Sequence, residues 1–311
     1  MAIPDHFAIQ YGQNFEQAVQ QTQTRFRKAA IVETGCTGEA KTHNLDQPID
    51  DNEVTGERFG KTVLQELDTE KRWVRPRMFD LATGEPKWDE ELLAPTILPG
   101  GKQIQAHAAA YARRTDKVFV DGLLGTNYKG KDGVDAAEIP AENIISVDFK
   151  LDGTTSESGL NAGKIVGAKR VLQENEAFNA DAQAMGVTLW GAMTPLMESQ
   201  IIDRMNTGTD KLHSGDFFQR PTLNDNGEIV FWMGVNWIKS NNLPLDETDT
   251  DARHAAIWTS NAVHLDFWGE ITTTVDRRPD LKNAVQFFSQ YSMNACRSQD
   301  KRVVKILCVE P

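Results

Sequence analysis

ILPGGKQIQAHAAAYARRTDKVFVDGLLG, residues 97–125, is the stretch from which the rest of the chain is best read. Ile104, Ala108, Tyr111, Thr115, Val118 and Gly122 recur at alternating steps of four and three, and Leu123 widens the stripe. That period puts them on one face of a helix about 22 residues long, which at roughly 1.5 Å per residue spans about 33 Å. Pro99, Gly100 and Gly101 mark its start, and Gly125 stands where a left-handed cap would close it. Ala106, Ala108, Ala109, Ala110 and Ala112 leave a thin waist that another element can approach closely. On its own this is an ordinary core helix. Its sequel is more particular: a turn-rich exit, GTNYKGKDG (125–133), then IPAENIISVDF (139–149), a loop entering a strand at Ile144–Phe149.

Upstream, residues 1–46 form a polar arm rich in glutamine, with a short helix expected at Asn14–Thr24 and a strand at Arg25–Thr34. Its apolar residues are too sparse for a core, so it must lie on its own body or on a neighbour. Gln47–Trp88 is extended and charged. Thr62–Asp68 and Trp73–Leu81 read as strands around a turn near Thr69–Arg72, and Pro76 confines the second to an edge or a bulge. Such a hairpin has little apolar surface, and isolated two-stranded hairpins are marginal in water. It is therefore expected to dock on another chain, offering Lys71, Arg72, Arg75 and Arg77 as contacts.

Downstream, Leu160, Ile165, Ala168, Val171 and Leu172 fit an amphipathic helix within Gly159–Ala177, and Met185–Trp190 reads as a buried strand. Thr194 is a fitting N-cap before Pro195, and Asn226-Gly227 a strong hairpin turn. Residues 150–250 thus read as a second α+β unit, closed by the acidic loop Leu245–Asp251. His254–Asp280 reads as a strand, a short helix or turn, and a strand ITTTVD (271–276). The tail reads as an antiparallel pair joined by a charged turn at Arg297–Lys301, packing beside the long helix and closing the first unit.

A chain of 311 residues suits about two domains, and its 40% hydrophobic and 25% charged residues are normal for a globular protein. A net charge of −12 argues against non-specific nucleic-acid binding as the main task. The three widely spaced cysteines, Cys36, Cys296 and Cys308, read as reduced thiols. The N-terminus does not read as a signal peptide, and no apolar run is long enough to span a membrane.

TGERFGKT (55–62) fails as a phosphate loop, because three residues rather than four separate Gly56 from Gly60. HSGDFF (213–218) with Asp203 and Asp210 lacks a paired histidine motif, and Asp246–Asp251 lacks the glycine and terminal glutamate of a calcium loop. The tryptophans read as core or interface anchors. No catalytic, cofactor-binding or metal-ligating set is expected.

Taken together, the segments resemble a tailed-bacteriophage major capsid protein of the Hong Kong 97-like fold, an α+β architecture. The resemblance runs through the N-arm, the charged hairpin, AHAAAYARRTDKVFVDGLLG (106–125), LNDNGEIVFWMGVNWIKSNNLP (223–244) and the strands from Ala256 to Cys308. It implies an N-terminal arm (1–46) and an E-loop hairpin (47–92) lying over a neighbouring subunit. It further implies a peripheral domain (93–149 and 266–311) built on the long spine helix, and an axial domain (150–265) around the capsomer axis. The implied role is self-assembly, as hexamers and pentamers, into an icosahedral shell around double-stranded DNA that is not bound sequence-specifically. The implied setting is the virion, assembled in the host cytoplasm, with a separate scaffolding protein, a portal and room for a cement protein; no enzymatic activity, cofactor or membrane is implied. An encapsulin, a cargo compartment on the same fold, is the alternative.

Overall fold

The computed structural model describes residues 20–49, 51, 64–85, 100–151, 153, 156–207, 222–246 and 251–310. The first part of the chain forms β1 (Ile31–Thr34), β2 (Lys41–Asp46), β3 (Thr69–Val74), β4 (Arg77–Glu85), the long helix α1 (Gly100–Leu124), β5 (Asn127–Lys129), β6 (Asp135–Ala137) and β7 (Ile144–Ile145). The middle forms α2 (Ala162–Glu174), α3 (Ala180–Ala184), β8 (Leu189–Met193), α4 (Pro195–Thr207), β9 (Thr222–Leu223), β10 (Ile229–Trp232) and β11 (Val235–Lys239). The last part forms β12 (Ala252–Thr259), β13 (Val263–Arg278), β14 (Ala284–Arg297) and β15 (Val303–Val309). They pair into three sheets, ordered β1-β13-β14-β4, β7-β15-β12-β8-β11-β10-β9 and β2-β3-β5-β6.

Helix α1 runs 25 residues and packs on β14. The lower half of the expected stripe is buried: Thr115, Val118, Gly122 and Leu123. A side chain at Gly122 would put its Cβ 2.7 Å from Ala295, so this position lets the helix touch the sheet. In the upper half the face is turned. Ile104 and Ala108 are exposed, while His107 and Ala109 are buried. His107 meets Ser289 Oγ through Nδ1 at 2.8 Å and Thr83 Oγ1 through Nε2 at 3.0 Å. Burial pushes its pKa down. A fully partnered polar side chain thus takes a core position that a hydrophobic pattern assigns elsewhere. Nor is Gly125 left-handed. The helix ends with Gly125 N–H donating to Asp121 O at 2.8 Å and Asn127 Nδ2 donating to Gly122 O at 3.0 Å.

Two apolar clusters share the seven-stranded sheet. Ala255 and Ile257 of β12 face a cluster with α2 and α4, through Leu160, Ile165, Leu172 and Met197. Ala256 and Trp258 face the cluster of α1, with Phe119 and Leu123. A strand covered on both sides reads as continuously apolar, as HAAIWT does. The N-terminal segment docks on its own body: Phe26 stacks on Phe119 at 5.1 Å, Trp258 Nε1 donates to Ala29 O at 3.1 Å, and β1 pairs in parallel with β13.

Several expected elements lie where the sequence puts them. Helix α2 buries the five named apolar residues; Thr194 Oγ1 accepts from Met197 N at 3.2 Å; Gly227 turns with φ +76°. Others differ. The strand expected from Arg25 starts at Ile31, after a short 3₁₀ turn at Arg27–Ala29, and residues 20–24 are not helical. Residues 14–19 of that expected helix lie outside the described residues. Met185 is exposed, because Asn179 caps α3 by accepting from Ala182 N at 3.0 Å and β8 begins only at Leu189. The strand expected at Ile144–Phe149 is limited to Ile144–Ile145. His264–Gly269 belongs to one long β13 with register shifts around Gly269, not to a helix or turn.

The hairpin is also built differently. Thr69–Arg72 is strand rather than turn, and β3 pairs with β2, so the second hairpin arm is Lys41–Asp46, inside the expected arm. At Pro76 the chain changes sheet, and β4 joins β14 instead. The tail splits likewise: β14 lies under α1, but β15 pairs with β12 and β7 in the other sheet. Arg297–Lys301 is a crossover whose charges are buried rather than a hairpin turn.

Candidate functional site

The hairpin β2/β3 leaves the body where α1 ends, and its root is built from charge. Alternation along β3 turns Arg72 and Val74 inward and Thr69 and Lys71 outward. Arg72 Nη2 donates to Asp300 Oδ2 at 2.7 Å and lies 3.1 Å from Glu70 Oε1. The other oxygen of Asp300 accepts from Arg297 Nε at 2.8 Å. Arg297 is fully buried; its Nη1 donates to Leu123 O at 2.9 Å and its Nη2 to Ala137 O at 2.9 Å. Its guanidinium therefore satisfies carbonyls at the C-terminal end of α1, where the helix dipole is negative. Burial pushes the Arg297 pKa down, against the pull of Asp300. One carboxylate thus ties the hairpin to the helix end.

Trp73 secures the same root by donating from Nε1 to Gly130 O at 2.7 Å. Gly133, at φ +66°, lies so close that an added Cβ would come 2.5 Å from the indole. On β2, Lys41 Nζ and His43 Nε2 reach Asp266 of β13 at 3.1 and 2.7 Å. Burial alone would lower the Lys41 pKa, but hydrogen bonds to Glu33 and Asp266 outweigh it and raise it.

A second projection is the outer part of β13 and β14 with β4 alongside. Thr272–Asn283 is exposed throughout, including Val275 and Leu281, and Met78 of β4 is 83% exposed. The tip turns through Pro279 and the left-handed Lys282 and Asn283, while Arg278 hooks Asp280 at 2.8 and 2.6 Å. Two or three strands with apolar side chains facing solvent are poorly self-supporting.

Of the four expected contact residues, Lys71 and Arg75 are exposed. Arg77 pairs with Asp121 at 3.0 Å and lies over the Phe79 ring at 5.6 Å. Arg72 does not face outward: it is buried within its own chain. Beside them is a cleft of about 230 Å³ lined by Trp73, Arg75, Arg77, Asp121, Tyr128 and Asn294. Residues 55–62, 210 and 213–218 lie outside the described residues, as do Trp88 and 247–250 of the acidic loop. Asp203 is exposed on α4, and Asp246 meets His254 Nε2 at 2.8 Å. Trp232, Trp237 and Trp258 are buried, as core anchors are. Arg297 and Asp300 were not singled out by the sequence; their spacing of three fits a local ion pair but does not reveal its burial.

The family described as phage capsid protein matches residues 3–310. No curated protein matches the chain by sequence. The capsid of the cyanophage P-SCSP1u is similar in structure at TM-score 0.69 and 11% identity, over 99% of this chain and 94% of that one. The cyanophage Pam1 capsid follows at TM-score 0.68 and 9% identity, over 99% and 98%. The Ralstonia phage GP4 capsid gives 0.67 and 11%, over 100% and 98%. At such identities these likenesses show a shared fold alone.

Proposed function

The chain belongs to the phage capsid protein family, and from that premise we propose that its two projections tie neighbouring subunits together in the head shell. As a major capsid protein it associates with itself to form the shell of the virion head; the encapsulin alternative is not favoured. In the proposed division, a peripheral domain comprises α1 with the β1-β13-β14-β4 sheet and an axial domain comprises the seven-stranded sheet with α2 and α4, so that β15 belongs to the axial part. The axial domains gather in hexamers and pentamers. The hairpin β2/β3 is the E-loop, crossing to the neighbour, with Lys71 and Arg75 as its outward charges. The role is structural and involves no catalysis. A separate scaffolding protein and a portal take part in assembly in the host cytoplasm, and a cement protein can bind outside. An acidic subunit holds the genome loosely, because tight phosphate binding requires clustered Lys and Arg.

The observation that carries this reading is the family match along nearly the whole chain. Its test is assembly of the full chain with and without residues 48–67, replaced by a short Gly/Ser turn. The cut leaves both strands of β2/β3 in place. We expect wild type to form closed shells by sedimentation and electron microscopy, and the shortened chain to keep its circular dichroism while failing to close them. Intact shells from the shortened chain would refute the E-loop assignment. A wild-type chain that stays monomeric even with its scaffold would refute the reading as a whole.

A further inference from the structure

Glu33 of β1, His43 of β2 and His264 of β13 face one another where the hairpin root meets the four-stranded sheet. Their ligand atoms lie within 4.8 Å of one another. Glu33 Oε1 is 3.4 Å from His264 Nδ1 and 3.9 Å from His43 Nδ1. Ligands of a tetrahedral zinc ion, each at about 2.0–2.1 Å, lie about 3.4 Å apart, so small side-chain movements close the set.

Three further features point to a cation. First, His43 Nε2 is 2.7 Å from Oδ2 of the fully buried Asp266. That bond places the proton on Nε2 and leaves the Nδ1 lone pair toward Glu33, an arrangement that orients histidine ligands behind metal ions. Second, His264 Nδ1 is buried and has no hydrogen-bond partner. A buried polar atom left this way costs free energy that coordination would recover. Third, Lys41 holds the other oxygen of Glu33 and also Asp266. Two carboxylates against one ammonium leave a negative charge while the imidazoles are neutral. Nothing in the sequence spacing announces this set, since positions 33, 43 and 264 converge only in the fold.

We propose that Glu33, His43 and His264 bind a divalent transition-metal cation of the zinc class, with a water completing the coordination. Two imidazole nitrogens and one carboxylate suit such an ion, whereas magnesium and calcium prefer oxygen donors. Because the ligands come from three strands, the ion would staple the N-terminal strand and the hairpin root to β13. The inference does not depend on how subunits assemble.

The test uses the full chain, stripped with a chelator and titrated with Zn²⁺, Co²⁺, Mg²⁺ and Ca²⁺ separately. We expect saturable binding of one Zn²⁺ or Co²⁺ per chain, a visible Co²⁺ absorption of tetrahedral type and a higher Tm with Zn²⁺. Mg²⁺ and Ca²⁺ should do neither at the same concentration. His264→Asn and Glu33→Gln should each weaken binding at least tenfold. If His264→Asn fails to fold, Glu33→Gln decides, because Glu33 is partly exposed and its loss leaves the core intact. Absence of saturable Zn²⁺ binding, equal response to Mg²⁺, or unchanged affinity in Glu33→Gln would overturn the proposal.

Discussion

Strands β12 and the outer half of β13 follow one another in the chain, yet they live under opposite conditions. In β12 every residue but Arg253 is buried, because one apolar cluster covers each face. In β13 the inner residues Val263–Phe267 share that cover, while Thr272–Arg278 have none on either face. The first strand is complete within one subunit. The second has its ladder bonds to β14 but no apolar partner for Val275. The difference teaches where the free energy of each process resides: folding rests on the doubly covered sheet, and association draws on surface the subunit leaves bare.

The comparison breaks first if the covered strand does not carry folding. Trp258 is fully buried and packs at 5.7 Å from Phe119. Trp258→Ala should remove about 3–5 kcal/mol of stability, since a large aromatic is lost and a cavity remains. Equilibrium urea unfolding of the unassembled subunit measures it. A loss below about 1 kcal/mol would mean that the core is held elsewhere.

The next variant tests the joint between the two regions. Asp300 bridges Arg72 of the hairpin and Arg297 at the end of α1. Asp300→Ala leaves two inward-facing guanidiniums without their counter-ion, a change that typically costs about 3–5 kcal/mol. Here the lower figure is expected, because Arg297 keeps its backbone carbonyls. Hydrogen exchange should accelerate in β2 and β3 before it does in β12. Adding Arg72→Met should cost less than it does in wild type, and strict additivity in that double-mutant cycle would contradict a shared bridge.

Both regions were unevenly legible in the sequence, for physical reasons. Helix α2, the Thr194–Pro195 cap and the Asn226-Gly227 turn depend on neighbours within a few residues, so local chemistry announces them. The spine helix was legible as a helix, but the face it buries above Thr115 was not, because His107 enters the core through hydrogen bonds to Ser289 and Thr83. The pairing of β3 with β2, and the departure of β15 to the other sheet, are long-range choices. An alternating strand looks the same whichever partner it takes. Among the contact candidates, alternation alone says that Lys71 and Arg72 point to opposite sides. Only the fold says which side is inward. The bridge through Asp300 joins residues from three distant segments, and the pairing of Glu33, His43 and His264 does the same.

The smallest expected effect is the most discriminating. Lys71 and Arg75 are exposed at the hairpin root and have little to do with the subunit's interior, apart from a 3.5 Å contact of Arg75 Nη2 with Asp132 O. Lys71→Glu with Arg75→Glu should therefore leave the urea midpoint of the unassembled subunit unchanged within error. If these charges meet acidic groups across a subunit boundary, their reversal should slow assembly at low salt and matter less as salt rises. Ions at about 0.15 M screen exposed charges beyond about 8 Å. Each exposed pair contributes at most about 1 kcal/mol, but every copy in a shell repeats it, so assembly yield magnifies what unfolding cannot detect. Light scattering across a salt series on wild type and the double variant reads the difference directly. Two superimposable curves would remove Lys71 and Arg75 from the interface and leave the exposed apolar residues Met78, Val275 and Leu281 as its principal contacts. A lowered urea midpoint would instead show that the root charges stabilise the subunit itself, erasing the distinction between covered and bare regions at that point of the chain.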